Sequence, residues 1–538
     1  MKKKFKAKKV KVKAKAKKAK LSKRKLALIS VYDKRGLLRL AKGLIKFGYD
    51  LVSSGGTAEA LKKAGVKAVE VSKLTRYPHM LGGRVKTLHP IIHGGILANR
   101  SLEDHLKDMA KFKIKPIDIV VCNLYPFEDT VAKPDCTYEQ AIEKIDIGGP
   151  TMVRAAAKNH KDVAVVIDPN DYPKILEELK LHKGVITAKM KKELAVKAFR
   201  HTQHYDTAIC KYLEGIGAGI GIGGGFPVRI NLELEKIQDL RYGENPHQKA
   251  AFYKDIKVGS GLTHAKQLHG KELSFNNIVD MDAAWAAANY FSNPTIAIIK
   301  HTNPCGSAQA NTLLEAYKLA LASDPVSAFG GIIAANRKID SATAEEIAKL
   351  FVEVVIAPGF DKKALTILTQ KKNIRLVEVG AGEKVFEYDY KKISGGFVVQ
   401  EPDAAQLGIN EIKTVTEKEP NLGQMEDLFF AWGVAKHVKS NAIILVKNGA
   451  TVGVGAGQMS RIDSCEIAVK KAGADKARGS VLASDAFFPF PDVVEFAAKH
   501  GISAIIQPGG SVNDQKSIDS ANQHGIAMVF TGRRHFKH

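Results

Sequence analysis

The stretch TIAIIKHTNPCG, residues 295–306, decides how this chain is read. Its β-branched and apolar run predicts a buried strand that ends on Lys300 and His301, followed by a Pro-Cys-Gly turn at Pro304, Cys305 and Gly306. α/β proteins present functional side chains where strands end, so the run brings a cation and a proton acceptor to one sheet edge. That pair suits acyl-transfer chemistry.

Working outward, GGIIAA (330–335), AIILV (442–446), ISAIIQ (502–507) and AMVFT (527–531) are further strand-like runs. They alternate with helical patterns such as SATAEEIAKLFVEV, so the second half is α/β. In the first half, LALIS (26–30), DLVSS (50–54), DIVVCNLY (118–125) and VAVVID (163–168) alternate with helical stretches such as GLLRLAKGLIKFG. This alternation predicts a helix-covered parallel sheet. Residues 187–213 form a long helical segment, with Leu194, Ala198, Phe199, Thr202, Tyr205, Ile209 and Tyr212 at three- and four-residue steps. The glycine-rich GIGAGIGIGGGFP follows and reads as a linker. The predicted organisation is a basic tail (1–25), a first domain (26–214), a linker (215–227) and a second domain (228–538).

Composition limits the function classes. The formal charge of +26 resembles that of a nucleic-acid binder, yet 15 of the first 25 residues are Lys or Arg and none is acidic. Removing them leaves roughly +11 for the body. The tail reads as a disordered solvated arm; weak, salt-sensitive attachment to RNA or other polyanions is the alternative. No apolar run is long enough to span a bilayer. Five scattered cysteines fit a reducing compartment and argue against a disulfide framework or zinc cluster.

In SSGGTAEAL (53–61), Gly55 and Gly56 open a helix after a strand while Ser54 and Thr57 offer hydroxyls, a natural phosphate seat. A Gly-Gly pair there is also an ordinary tight turn. GGRVKTLHPIIHGG (82–95) gathers Arg84, Lys86, His89 and His93 between glycines, as an anion-binding loop would. Asn123 and Tyr125 end a strand in CNLYPF, and IDIGGPTMVRAAAKNH carries Asp146 and Lys158. Such groups are plausible proton-transfer partners, though singly each is more often structural.

Taken in order, SSGGTA, MLGGRVKTLHP, CNLYPF and IDIGGPTMVRAAAKNHKDVAVV resemble the N-terminal half of a bifunctional purine-biosynthesis family. Its members combine AICAR formyltransferase with IMP cyclohydrolase. LRYGENPHQ, SFNNIVDMDAAW, KHTNPCG, DPVSAFGG, KSNAI, GAGQMSR, SDAFFPF, QPGGS and RHFKH resemble its C-terminal half. The resemblance runs from about Leu26 to His538. It implies an N-terminal methylglyoxal synthase-like doubly wound domain and a transformylase region with cytidine deaminase-like α/β folds. It also implies 10-formyltetrahydrofolate as co-substrate, AICAR, FAICAR and IMP as ligands, no metal, a homodimer with the transferase site across the interface, and a cytoplasmic location without membrane attachment.

The resemblance further assigns residues. Lys300 and His301 are its transferase pair, with Asn441 the positioning amide. Arg241, Tyr242, Arg461 and Arg534 match nucleotide-binding positions, Phe487 a wall against the base, and Asp492, Ser511 and Val512 folate-binding positions. Its cyclohydrolase nucleotide lies among Asp33, Lys34, Ser54, Gly55, Gly56, Thr57, Arg84, Val85, Lys86, Thr87, Cys122, Asn123, Asp146 and Ile147. Lys158 is its candidate acid/base, with Lys86 and Tyr125 polarising the formyl oxygen and Asp146 holding the amide. The chain departs from the pattern at Tyr32, where relatives have Ser, at Arg76 and His79, and at Pro491.

Three rival readings stand beside the resemblance, one of them a phosphate elimination as in methylglyoxal synthase that rests on fold alone. Pro304-Cys305 resembles half of a zinc deaminase motif, but Ala308 stands where the second Cys is needed and Asn303 where the Glu is needed. A basic RNA-binding protein is the third, resting on the tail alone.

Overall fold

The computed structural model describes residues 24–538 except 79, 215–225, 228 and 381–387. Most of the basic tail, His79 and the core of the glycine-rich linker therefore lie outside the described residues. Two compact units divide at Ile230 and Asn231.

The first unit is built on five strands, β1 (Lys25–Val31), β2 (Tyr49–Ser53), β3 (Val69–Glu70), β4 (Ile119–Asn123) and β5 (Ala164–Val166). They pair in the order β3-β2-β1-β4-β5, all parallel. Runs such as Ala27–Ile29 and Val120–Val121 are fully buried, as expected of strands covered on both faces. The helix Ala188–Leu213 packs Leu194, Ala198, Thr202 and Tyr205 inward, along the predicted three- and four-residue steps. Strand order reverses between β1 and β4, and a crevice opens beyond the carboxyl ends there.

In the second unit a single twelve-stranded sheet holds the core. At its centre the strands Asn303–Gln309 and Ala450–Gly455 pair antiparallel. Outward from one lie Thr295–Lys300, Ile332–Ala335, Val354–Ala357, Arg375–Glu378 and Lys266–His269. Outward from the other lie Ile443–Lys447, Val481–Ser484, Ala504–Gln507, Ala527–Phe530 and Lys413–Thr414. Each half consists of a hairpin, three mutually parallel strands and an antiparallel edge strand. The sheet is therefore a doubled unit, mixed rather than parallel.

One local expectation is overturned. Pro304, Cys305 and Gly306 form no turn; they belong to the return strand Asn303–Gln309. The chain reverses instead at His301 and Thr302, whose φ angles are 52° and 61°. Gly306 is required by packing, since an added Cβ would lie 2.0 Å from the Ala320 carbonyl oxygen of the helix Leu313–Ser323. The helix predicted across SATAEEIAKLFVEV also stops early, at Ile347.

Candidate active sites

A cavity of about 600 Å³ occupies the first unit's crevice, and most predicted residues meet in it. Lys34, Ser54, Gly55, Gly56, Thr57, Arg84, Lys86, Thr87, Cys122, Asn123, Tyr125, Asp146 and Ile147 all line it. Gly55 adopts φ 51° at the start of the helix Gly55–Lys63, a conformation that favours glycine. Lys86 folds back over this turn; a Cβ on Gly55 would lie 3.3 Å from its Nζ and one on Gly83 2.3 Å from its Cε. Lys34, Arg84, Lys86 and Lys144 face the carboxylates Glu143 and Asp146, so the lining carries a positive excess fit for a phosphate monoester. Arg84 is ion-paired with Glu143 across the rim.

Asp146 is the most constrained group. Its carboxylate accepts from the backbone N–H of Gly149 (2.8 Å) and from those of Tyr125 and Gly148. Burial nonetheless raises its pKa above the ordinary value, the three donors opposing the shift. The Asp146 backbone N–H donates to the Tyr205 hydroxyl at 2.8 Å, which ties this loop to the long helix. Asn123 clamps the opposite wall: its Oδ1 accepts from Tyr32 and Asp33 N–H groups (2.6 and 2.9 Å). The Tyr32 and Tyr125 rings meet edge-on at 5.6 Å.

Other predicted residues lie elsewhere. Thr57 lines the wall, but its hydroxyl exchanges hydrogen bonds with the Val31 backbone (3.0 and 2.9 Å), so it secures strand β1. Cys122 is fully buried and its thiol is pushed far up by burial, which leaves it an apolar wall. Asp33 borders the crevice with its carboxylate on Arg35, which holds its pKa below the usual range. Val85 does not line the cavity. Lys158 does not line this cavity: it ends the helix Gly148–Lys158, whose other end forms the cavity floor. Ten residues at 1.5 Å each carry it about 15 Å away.

In the second unit, strand register collects the transferase candidates at one sheet edge. Lys300 ends its strand, Asn303 begins the next, and Ile443 pairs with both Gly455 and Ser484. Lys300 Nζ donates to the Phe329 carbonyl at 2.8 Å. His301 stands exposed at the turn, whose backbone N–H groups at His301 and Thr302 donate to Asp280 (3.3 and 2.8 Å). Asn303 Oδ1 accepts from Lys439 N–H at 3.0 Å, linking this turn to the Ser440–Asn441 segment.

Asn441 is held from both ends of its amide. Nδ2 donates to the Gln458 and Met459 carbonyls (3.0 and 3.1 Å), and Oδ1 accepts from Arg461 at 2.9 Å. The same guanidinium reaches Ser484 Oγ (2.8 Å) and the fully buried Asp485 (3.0 Å). The Arg461 guanidinium is thus shared among Asn441, Ser484 and Asp485.

Arg241 and Tyr242 line a neighbouring cavity of about 620 Å³ with Asn277, Phe351, Glu353 and Arg375. Asn277 lies one helical turn before Asp280, and Phe351 packs on Phe329 at 5.1 Å, so this cavity adjoins the Lys300 turn. Phe487 lies on the loop that follows Asp485 and Asp492 opens the helix Asp492–Lys499 after it, both half-buried. Asn513 ties the Ser511–Val512 loop to it by donating to the Pro489 carbonyl at 2.8 Å. Val512 is wholly exposed. Arg534 lies exposed over the Phe536 ring at 4.6 Å, next to His535, whose N–H donates to the Asp485 carbonyl at 2.9 Å.

Glu143 and Lys144 in the first unit, and Asp280, Ser484 and Asp485 in the second, join the sites without a role assigned from sequence. Glu143 and Lys144 lie just before the IDIGGPTMVRAAAKNH motif, and the other three lie inside SFNNIVDMDAAW and SDAFFPF. The zinc-deaminase alternative loses its ligand set. Cys305 is buried within its strand with its thiol pushed up to about 11, and no group of three or more His, Cys, Asp or Glu could hold a metal among the described residues. No described helix is long and apolar enough to cross a membrane.

The chain is similar to known proteins over almost its whole length. A family described as the AICARFT/IMPCHase bienzyme matches residues 156–471, and an MGS-like domain matches residues 36–151. The bifunctional purine biosynthesis protein PurH of Acetivibrio thermocellus is 54% identical over 519 residues, covering 96% of this chain and 100% of that protein. PurH of Ruminiclostridium cellulolyticum is 52% identical over 521 residues and PurH of Thermoanaerobacter sp. 54% over 517, each with 96% and 100% coverage. On these grounds the chain belongs to the AICARFT/IMPCHase bienzyme family of bifunctional purine biosynthesis proteins.

Proposed function

We propose that the two units divide the labour, the sheet edge at Lys300 and His301 transferring a formyl group and the crevice of the first unit closing the ring. The chain is an AICAR formyltransferase and IMP cyclohydrolase of purine biosynthesis. The single observation that carries the division is the convergence of Lys300, His301 and the doubly held Asn441 amide on one edge, in a unit separate from the cation-lined crevice.

In the first step the 5-amino nitrogen of AICAR attacks the formyl carbon of 10-formyltetrahydrofolate. His301 takes the amine proton and Lys300 offsets charge on the oxyanion. Asn441 orients the carboxamide, and collapse expels N10 of tetrahydrofolate, which takes up a proton. Arg241 and Tyr242 hold the nucleotide from the adjoining cavity. Phe487, Asp492, Ser511, Val512 and Arg534 complete the folate and nucleotide walls.

In the second step the carboxamide nitrogen of FAICAR attacks its own formyl carbon, and the adduct loses water to give IMP. Nucleophile and electrophile share one molecule, so holding them in register supplies much of the acceleration. Lys34, Lys86, Arg84 and the Gly55 turn take the phosphate and formyl oxygen. Asp146, poised by burial to hold a proton more readily than an ordinary carboxylate, accepts the amide proton while Tyr125 donates to the departing oxygen.

The resemblance supports three further parts of this reading: a homodimer whose transferase site is completed by the partner, a cytoplasmic location, and chemistry that needs no metal. The charge of the basic tail supports at most a salt-sensitive affinity for polyanions. Purified protein given AICAR and 10-formyltetrahydrofolate should form IMP, and light scattering should give a dimer. An absence of IMP would end the functional reading; a fully active monomer would end the shared-site reading.

A further inference from the structure

The two halves of the twelve-stranded sheet repeat not only strand order but individual hydrogen bonds. In the first half Lys300 donates to the carbonyl of Phe329, three residues before the neighbouring strand, at 2.8 Å. In the second, Lys447 donates to the carbonyl of Arg478, three residues before its neighbouring strand, at 2.7 Å. Asp280, sixth residue of the helix Phe275–Asn289, accepts from both N–H groups of the His301–Thr302 turn. Asp427, sixth residue of the helix Leu422–Ala435, accepts from Asn448 and Gly449 N–H (2.8 and 2.6 Å). Gly330 and Gly479 repeat as well, with φ of 73° and 76° and an N–H bond of 2.8 Å to the Phe351 and Gly501 carbonyls.

The turns differ in their residues. Asn448 and Gly449, at φ 55° and 73°, are the pair that adopts this left-handed hairpin turn unaided. His301 and Thr302 take the same conformation with side chains that resist it, and a β-branched residue resists it most. The second turn holds its shape from its own sequence. The first needs an external hold, and Asp280 is the group that grips both of its amides.

We propose that Asp280 is a positioning residue for formyl transfer: by capturing the two turn amides it fixes His301 in an unfavourable backbone conformation that aims the imidazole at the substrate. The inference rests on His301 being the transferase base. Asp427 has the same contacts at a turn that does not depend on them, so it is a matched control for any loss of packing or charge.

The test compares Asp280→Asn, Asp427→Asn, Asp280→Asn/Thr302→Gly and His301→Ala, in the full chain, for formyl transfer and for cyclisation of supplied FAICAR. Asp280→Asn should lower the kcat of formyl transfer by about a hundred-fold with little change in the KM for AICAR, the scale expected from misplacing a reacting group by about 1 Å. Asp427→Asn should leave it unchanged, and both should cyclise FAICAR normally. Adding Thr302→Gly, which accepts the left-handed conformation freely, should restore at least about ten-fold of the loss. Wild-type kcat in Asp280→Asn, an equal loss in Asp427→Asn, or no rescue by Thr302→Gly would overturn the proposal. Formyl transfer surviving in His301→Ala would instead overturn the site reading beneath it.

Discussion

Gly149→Ala is the sharpest probe of the ring-closing site, because the methyl group it adds has nowhere to go. It would lie 2.5 Å from Asp146 Oδ2 and 2.7 Å from Leu124 Cδ2, inside van der Waals contact with both. Leu124 is buried, so the carboxylate must give way and loosen its 2.8 Å bond from Gly149 N–H. A hydrogen bond to a charged acceptor contributes about 1.5–3 kcal/mol. At about 2 kcal/mol, and 1.36 kcal/mol per tenfold, kcat for cyclisation should fall about 30-fold. Overpacking should also cost about 1–3 kcal/mol of stability in the first unit. The assay follows supplied FAICAR to IMP, with formyl transfer in the same sample as the internal control. A folded variant that cyclises within about two-fold of the parent would refute the role given to Asp146.

Three further outcomes follow from the same geometry. His437 is buried with its Nε2 unpartnered, and burial lowers its pKa to about 3. The unfolded chain therefore binds a proton below about pH 6.5 that the folded chain refuses. Stability of the second unit should be intact above that pH and be lost as pH falls from about 6.5 toward 3, by up to several kcal/mol; His437→Phe should flatten the loss in urea titrations at pH 7, 5 and 4. Arg461→Met would strand the fully buried Asp485 and should cost about 3–5 kcal/mol, lowering the second unit's melting transition and abolishing formyl transfer while FAICAR is still cyclised. Tyr32→Ser removes the edge-on contact to Tyr125 and should lower cyclisation about threefold, whereas Tyr32→Phe keeps the ring and the rate; equal loss in both would assign Tyr32 a hydroxyl contact instead.

How far the sequence carried these conclusions depended on the kind of signal. Strands buried on both faces announce themselves as apolar runs, and every quoted run of the first half corresponds to a strand of the parallel sheet or its end. SSGGTA and CNLYPF came together because each sits where a strand ends, and in a doubly wound sheet those ends share one crevice; the Arg84 and Asp146 motifs reach it from loops that follow helices. Lys158 stands apart from the cavity lining because its motif continues into a helix, and helical rise carries the last residue away from the wall that the first residue builds. The Pro-Cys-Gly reading, by contrast, misled. Composition marks breakers, yet close helix approach at Gly306 demands the same glycine inside a strand. Asp280 and Asp485 lie inside quoted motifs, but their contacts were not legible because the partners are 21 or more residues away. Mixed strand direction was equally hidden, since neither periodicity nor turn residues report which strands become neighbours across the doubled sheet.

The central claim is that two separable sites in one chain carry out successive steps, and His301→Ala tests it most directly. With AICAR and 10-formyltetrahydrofolate the variant should form no FAICAR or IMP, while supplied FAICAR should still be converted to IMP at close to the parent rate. Formyl transfer that persists, or loss of both conversions in a protein that remains folded, would contradict the account.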